Sequence, residues 1–392
     1  MNTATVQLGE LVSFLSGFAF KSNFFNSDGA GLPLIRIRDV RSGRSETHYS
    51  GDYDERFIVT DGDYVIGMDG EFNIACWNGG KALLNQRVCK IDRVSPRLDR
   101  DYLARFLPRA LKVIEDATPF VTVKHLSTKS LKEIEIPLPS LEEQRRIAEV
   151  LAQIDVLRVK RRETMSLLDD LTQSIFLEIF GDPARNPMSW PLCTLNELAR
   201  VFSDGPFGSN LKSSHYQSAG VRVVRLQNIG VGEFLDNDRA YVSRAHFESL
   251  KKHECRPGDV LVATLGDPNI RACIQPDWLD IAINKADCVQ IRTNDEKAIP
   301  EYVCALLNQP SLEAKAQSLM LGQTRVRISM GRLRTLEVPI PPLNLQKTFA
   351  QQIAAVESLK ATNLAHLAEL DAIFASAQHR AFRGDLWDDP IM

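Results

Sequence analysis

The chain of 392 residues lacks the sequence features of membrane, secreted and zinc-bound proteins. It has no run of about 18 apolar residues that could cross a membrane. Residues 1–20 have no basic segment ahead of an apolar one, which argues against a secretory signal peptide. The seven cysteines are scattered without a CxxC pair, which indicates reduced core thiols rather than zinc ligands. We therefore expect a cytoplasmic protein.

The chain also lacks an excess of positive charge and any enzyme motif. Its 47 Lys and Arg residues stand against 50 Asp and Glu residues, a net charge of -3. A protein that binds nucleic acid through bulk charge would be basic, so any such binding must be local. No phosphate-binding loop or HExxH motif is present, and segment 186–189 lacks the second proline and the aromatic residue of the adenine methyltransferase signature. We expect no catalytic residue and no metal site in this chain.

What the chain does contain is an internal repeat. Segment 131–139, LKEIEIPLP, matches segment 333–341, LRTLEVPIP, at an offset of 202 residues. Gln144 and Gln346 share that offset. Further upstream the offset shortens, as changes of loop length between duplicated elements would produce. The repeat predicts two copies of one architecture.

A long helix is predicted at the end of each copy. Apolar residues follow a heptad seam over 147–175 and again over 349–377, and the polar interruption at Arg158 recurs at Lys360. One seam alone would more often be an ordinary core helix. Two matched seams favour antiparallel pairing, because the domain between them returns the chain. A helix of about 40 residues would be roughly 60 Å long.

The regions ahead of the helices predict the fold class. Short β-branched and aromatic runs alternate there with Gly, Asn and Asp turns. We expect a mixed α/β (α+β) protein with two tandem domains, each followed by a long helix. The predicted parts are a first domain at 1–139, a central helix at 140–180, a second domain at 181–341, a C-terminal helix at 342–384 and a tail at 385–392.

This order of elements resembles a known family. The segments that carry the likeness are Pro137 to Gln144, Phe180 to Pro183 with Asn186, Pro187 and Trp190, 323–329 and 381–386. In this order, over nearly the whole chain, they resemble the specificity subunit of type I restriction-modification enzymes. The resemblance implies a non-catalytic subunit with two target-recognition domains. Each domain would read one half of a split DNA site, while the helices set the gap.

The resemblance also implies partners. Double-stranded DNA is one, two methyltransferase subunits would dock on the helices, and motor-nuclease restriction subunits would join for cleavage. Those subunits would carry S-adenosylmethionine, ATP and Mg²⁺, and we expect no cofactor in this chain. We expect the partners to contact the seam residues Ile147, Leu151, Ile154, Phe349, Ile353 and Val356.

The candidate DNA contacts are polar residues on predicted loops, because Arg, Lys, Asn and Gln can bond guanine or adenine edges in pairs. In the first domain they are Lys21, Arg36, Arg38, Arg41, Arg44, Lys81, Asn85, Gln86 and Lys124. In the second domain they are Asn210, Lys212, Arg225, Gln227, Asn228, Arg271, Gln323, Thr324, Arg325 and Arg327. The densest basic signal is segment 325–334, with four arginines and no acid. Any one of these residues would more often be a solvated charge or a structural ion pair.

Two alternatives stand beside this hypothesis. One is the DNA-recognition subunit of a related restriction system in which nuclease and methyltransferase are fused in one partner chain. The other is a coiled-coil scaffold with two protein-binding domains and no role on nucleic acid, which the sequence pI of 6.2 favours slightly. Retention on duplex DNA at low salt would distinguish a DNA-binding subunit from such a scaffold. Binding through phosphates should be retained at low salt and weaken as salt is added.

Overall fold

The computed structural model describes residues 4–118, 124–319 and 327–387. The chain divides into two compact units, Met1–Arg162 with Ala365–Met392, and Glu163–Leu364. Each unit mixes helices and sheets, so the predicted α/β fold class is confirmed. The unit boundary passes through both long helices, so each unit holds one half of each helix rather than a domain with a separate spacer.

The first unit contains short strands in three sheets. Its strands are β1 (Thr5–Gln7), β2 (Val12–Ser16), β3 (Phe25–Asn26), β4 (Leu32–Ile35), β5 (His48–Tyr49), β6 (Ile58–Val59), β7 (Tyr64–Gly67), β8 (Ile74–Cys76), β9 (Ala82–Leu84), β10 (Val88–Val94) and β11 (Glu135–Pro137). Its helices are α1 (Leu8–Leu11), α2 (Asp39–Ser42), α3 (Arg100–Ala117), α4 (Thr128–Lys132) and the first half of α5 (Leu141–Phe180). The strand orders are β2-β10-β7-β8, β3-β5-β4-β9-β6 and β1-β11.

The second unit repeats this plan. Its strands are β12 (Leu192–Thr194), β13 (Ala199–Asp204), β14 (Val221–Val224), β15 (Tyr241–Val242), β16 (Glu254–Cys255), β17 (Val260–Ala263), β18 (Arg271–Ile274), β19 (Ala282–Asn284), β20 (Cys288–Thr293) and β21 (Glu337–Pro339). Its helices are α6 (Arg244–Ser249), α7 (Pro300–Leu307), α8 (Pro310–Ala316), α9 (Met330–Arg334) and the first half of α10 (Leu343–Ala381). The order β13-β20-β17-β18 matches β2-β10-β7-β8, and the parallel pair β14 and β19 matches β4 and β9.

Helix α3 shows why the first unit closes around its four-stranded sheet. The Asp99 carboxylate accepts hydrogen bonds from the backbone N–H groups of Asp101 and Tyr102 at 3.0 Å, which caps the helix start. Apolar side chains then recur on one face and are buried, among them Tyr102, Phe106 and Leu107. Each such burial stabilises the unit by about 1.5–3 kcal/mol.

The heptad seam of the long helices faces inward, as the sequence predicted. None of the predicted seam positions on α5 or α10 is exposed. Gly181 follows α5 with a φ of 76°, and Gly384 follows α10 with a φ of 83°, both left-handed conformations that glycine adopts at little cost. Among the described residues, no helix combines the length and the apolarity needed to span a bilayer.

Candidate nucleic-acid interface

The repeated glutamines fasten each long helix to its unit. Gln144 is fully buried, and its Oε1 accepts from the backbone N–H of Asp99 at 2.8 Å. Its Nε2 donates to the carbonyl oxygens of Arg97 at 3.0 Å and Pro139 at 2.9 Å. The side chain therefore bonds the start of α3 to the start of α5.

Gln346 makes the same three bonds in the second unit. It is also fully buried, and its partners are the N–H of Ile299 at 3.0 Å and the carbonyl oxygens of Lys297 at 3.0 Å and Pro341 at 2.9 Å. A tyrosine clamp is duplicated as well: the Tyr102 hydroxyl donates to the Pro137 carbonyl at 2.9 Å, and the Tyr302 hydroxyl to that of Pro339 at 2.7 Å. The repeated glutamine and tyrosine residues are thus structural anchors rather than contacts for a ligand.

The polar interruption of each seam forms an ion pair between the helix halves. In the first unit Arg158 Nε lies 2.5 Å from the carboxylate of Asp371. In the second unit Lys360 Nζ lies 2.8 Å from the carboxylate of Asp169. The two cations are 202 residues apart in the sequence, and so are the two acids. The ion pair is therefore duplicated: the cation lies on α5 and the acid on α10 in the first unit, and the reverse holds in the second. Within each unit the two helix halves run antiparallel.

The expected partner-binding residues of the seam are not accessible. Ile147, Leu151, Phe349 and Val356 are buried in their own unit's core, and Ile154 and Ile353 are half-buried. Phe349, for example, lies against the rings of Phe176 and Phe180, with centroids 5.7 and 5.3 Å away. The four buried side chains cannot offer a partner their surface, because they pack inside the unit that holds them.

The outer faces of the helices carry apolar residues that solvent reaches. Leu157 and Leu171 on α5 are 50% and 42% exposed. Leu359 and Ile373, 202 residues later on α10, are 53% and 52% exposed. The same outer positions are therefore apolar in both copies, and the sequence analysis missed them because it followed the buried seam.

Most of the expected DNA contacts in the described residues lie on the surface. In the first unit Lys21, Arg38, Arg41, Arg44, Lys81 and Gln86 are exposed, and Arg36 is half-buried. In the second unit Asn210, Lys212, Gln227 and Arg327 are exposed. Gln323, Thr324 and Arg325 lie outside the described residues.

Five of the expected contacts are committed to the fold itself. Asn85 and Asn228 are buried, at 7% and 0% exposure. Lys124 Nζ donates to the Glu115 carbonyl at 2.5 Å, and Arg225 pairs with Asp238. Arg271 donates to the backbone carbonyls of Leu226, Ile229, Leu265 and Pro268 at 2.7–3.2 Å. Because each of these side chains is either buried or bonded within its own unit, we remove these five from the candidate interface.

The three described arginines of the four-arginine segment, Arg327, Arg332 and Arg334, do not form one basic patch. Arg327 is exposed and pairs with Asp287, with Nη1 and the carboxylate 3.4 Å apart. Arg332 Nη1 donates to the Leu319 carbonyl at 3.1 Å, and Arg334 donates to the carbonyl of Phe202. Two of the arginines in this segment are therefore bonded to backbone carbonyls. The number of arginines in the sequence overestimates the positive charge that is available to DNA.

The structure adds a cluster of an arginine and a histidine around one carboxylate, which the sequence did not indicate. The Asp69 carboxylate lies 2.5 Å from His125 Nδ1 and 3.4 Å from Arg87 Nε. The side chains of Arg87 and His125 are about half exposed, whereas Asp69 is 20% exposed. One signal could have found it: His125 stands 202 residues before Arg327, the offset of the repeat.

Comparison with known proteins identifies the family. A model of the type I restriction modification DNA specificity domain matches residues 2–164. The specificity subunit of the type I restriction enzyme EcoBI from Escherichia coli is 28% identical over 409 residues, which cover 97% of this chain and 85% of that protein. The chain is similar to the type I restriction-modification specificity subunits over nearly its whole length. The MjaVIII specificity subunit from Methanocaldococcus jannaschii is 22% identical and covers 90% of this chain and 86% of its own length.

Solved structures share the fold of this specificity subunit. The S subunit of a type I restriction-modification system from M. genitalium aligns with a TM-score of 0.56 at 15% identity, over 97% of this chain and 96% of that one. A chain from a structure of complex assembly and conformational transition of the type I R-M system aligns with a TM-score of 0.60 at 20% identity, over 98% of each chain. The family is that of the non-catalytic, DNA sequence-specificity subunit, and the resemblance drawn from the sequence is confirmed.

Proposed function

We propose that this specificity subunit reads a two-part, non-palindromic DNA site, with one half-site for each unit. The observation that supports this is the duplicated scaffold with different exposed side chains. The sheets β2-β10-β7-β8 and β13-β20-β17-β18 share one strand order. At matching places, however, the first unit has Arg87 and His125 where the second has Asp287 and Arg327. The same frame with different base-edge donors and acceptors suits two different half-sites.

We propose that the expected contacts that are neither buried nor bonded to the backbone of their own unit form the two DNA-binding surfaces, one on each unit. In the first unit they are Lys21, Arg36, Arg38, Arg41, Arg44, Lys81 and Gln86, and in the second Asn210, Lys212, Gln227 and Arg327. Lysines such as Lys21 and Lys81 suit phosphates, which position the protein without selecting a sequence. Arginines and the glutamines and asparagine suit paired bonds to base edges.

The partner subunits are assigned to the outer helix faces. Two methyltransferase subunits would each cover the apolar positions of one unit, Leu157 with Ile373 in the first and Leu171 with Leu359 in the second. Exposed apolar patches on a helix commonly mark protein contacts. In this assignment S-adenosylmethionine is held by the methyltransferase subunits, and ATP and Mg²⁺ by restriction subunits that join the complex. The complex would methylate chromosomal DNA and cleave incoming DNA in the cytoplasm.

The test is a genome-wide map of methylated adenines in cells with this gene, without it, and with it restored. We expect deletion to remove one gapped, two-part methylation motif and restoration to return it. Expression of the methyltransferase partner must be verified in all three strains. An identical methylation pattern in all three would overturn the proposal.

A further inference from the structure

We propose that Arg87, held in place by Asp69 beside His125, is a sequence-reading residue that contacts a guanine of the first half-site. This inference rests on the proposed DNA-reading function and names one of its contacts. We call the three residues Asp69, Arg87 and His125 the Asp69 cluster.

The Asp69 cluster joins three separate segments where the two central strands of the four-stranded sheet, β7 and β10, meet at their ends. Asp69 lies in the turn between β7 and β8, and Arg87 immediately precedes β10. His125 lies three residues before α4. Backbone bonds fix these segments: the Met68 N–H donates to the Arg87 carbonyl at 2.9 Å, and the Gly70 N–H to that of Lys124 at 2.9 Å. The carboxylate is therefore a fixed support with Arg87 on one side and His125 on the other.

The backbone at Arg87 is set by the scaffold rather than by its side chain. Arg87 has a φ of 71°, a left-handed conformation that is uncommon for a residue with a side chain. Asp287, which immediately precedes β20 in the second unit, has a φ of 65°. Its carbonyl accepts from the Thr264 N–H at 3.0 Å, as the Arg87 carbonyl accepts from Met68. Both copies thus hold one outward position in the same conformation, and only its side chain differs.

Comparison of the two copies separates a structural tether from a reading residue. In the second unit the ion pair is reversed: Asp287 stands at the turn, and Arg327, the counterpart of His125, supplies the arginine. An exposed ion pair contributes about 0–1 kcal/mol to stability in either order. What the copies share is an arginine that is more than half exposed and supported by a carboxylate. That shared feature favours a contact with something outside the chain.

The chemistry of the supported arginine suits guanine. A guanidinium donates two parallel hydrogen bonds to guanine O6 and N7, and this is the commonest specific contact in the major groove. In the Asp69 cluster Arg87 Nε lies 3.4 Å from the carboxylate, and Nη1 lies 3.4 Å from His125 Nδ1. A guanidinium has five N–H groups, so the groups that do not meet Asp69 or His125 can bond a base edge. A long side chain that is already held loses less rotamer freedom on binding. Support by Asp69 therefore favours discrimination as well as affinity.

The experiment uses the complete modification complex and scores each position of the methylation motif. We expect Arg87→Ala to relax one guanine of one half-site, with discrimination lowered roughly 5- to 150-fold, the range for a paired arginine contact. Arg87→Lys keeps the charge but loses the fork, so the same position should relax while the charge beside Asp69 stays. Asp69→Asn should relax it less. Arg327→Ala should affect only the opposite half-site.

The matched control is Arg93→Ala, an exposed arginine at the far end of the same strand, β10. It should leave the motif unchanged. A uniform loss of methylation with unaltered base preference, together with a lower unfolding temperature, would make the Asp69 cluster a structural tether and overturn the proposal. An unchanged motif in Arg87→Ala would do the same. The absence of any gapped motif in the wild type would instead refute the proposed function itself.

Discussion

Replacing Gln144 by leucine tests whether the repeated glutamine anchors the long helix. The change keeps a side chain of similar size but removes the three hydrogen bonds of the Gln144 side chain. The N–H of Asp99 and the carbonyl groups of Arg97 and Pro139 lose their partner. Each buried polar group left unpaired costs about 1–3 kcal/mol. Because each carbonyl keeps a second lone pair and leucine gains from burial, we expect a net loss of about 3 kcal/mol.

The assay is hydrogen exchange resolved by peptide. A loss of about 3 kcal/mol raises the opening equilibrium roughly 100-fold, and it should appear at residues 97–103, where α3 begins. Gln346→Leu should produce the same increase at residues 297–303, where α7 begins, and leave the first region unchanged. For a unit of this size the midpoint of thermal unfolding should fall by about 6–12 °C.

Gln153→Leu is the matched control, because Gln153 lies exposed on the same helix. It should change neither exchange nor the unfolding temperature by a comparable amount. The anchor interpretation fails if Gln144→Leu behaves like Gln153→Leu. It also fails if exchange rises equally at the starts of α3 and α7, since the bonds of Gln144 reach only the first.

Three further predictions follow from contacts in the structure. A thiol reagent at pH 8 should label Cys76 quickly and Cys89 and Cys304 only after unfolding, because Cys76 is exposed while burial raises the pKa of each of the other two thiols to about 12. Asp371→Asn should lower the free energy of unfolding by less than 1 kcal/mol, because its ion pair with Arg158 is partly exposed; a larger loss in chemical denaturation would show that the pair carries more. Deleting one heptad, residues 159–165, should change the gap of the methylation motif or abolish methylation, and an unchanged motif would refute a spacer role.

The fold was predictable where the sequence repeats. The matching segments 131–139 and 333–341 identified two copies, and the heptad seams placed helices within three residues of their observed ends. Periodicity succeeds here because a helix that packs against a core must present one apolar face. The unit boundary inside each helix was not predictable, because it depends on which half of a helix packs against which sheet.

The candidate interface was harder to predict for a physical reason. Arg271 and Arg327 are both arginines of the second copy, yet Arg271 donates four bonds to backbone carbonyls and Arg327 is more than half exposed. Sequence shows the type of side chain but not which backbone carbonyls surround it. Arg87 was missed for the opposite reason, because its support by Asp69 joins two turns that are distant in the chain.

The division between fixed and varied positions explains how one scaffold can serve two targets. Gln144, Tyr102 and their counterparts make the same buried bonds in both copies, so a change there would cost the fold several kcal/mol. The outward turn position before β10 or β20 holds arginine in one copy and aspartate in the other, with one backbone conformation. Side chains at that position can change without loss of the bonds that anchor the helices. Specificity can therefore diverge between the copies while the long helices keep their place on each unit.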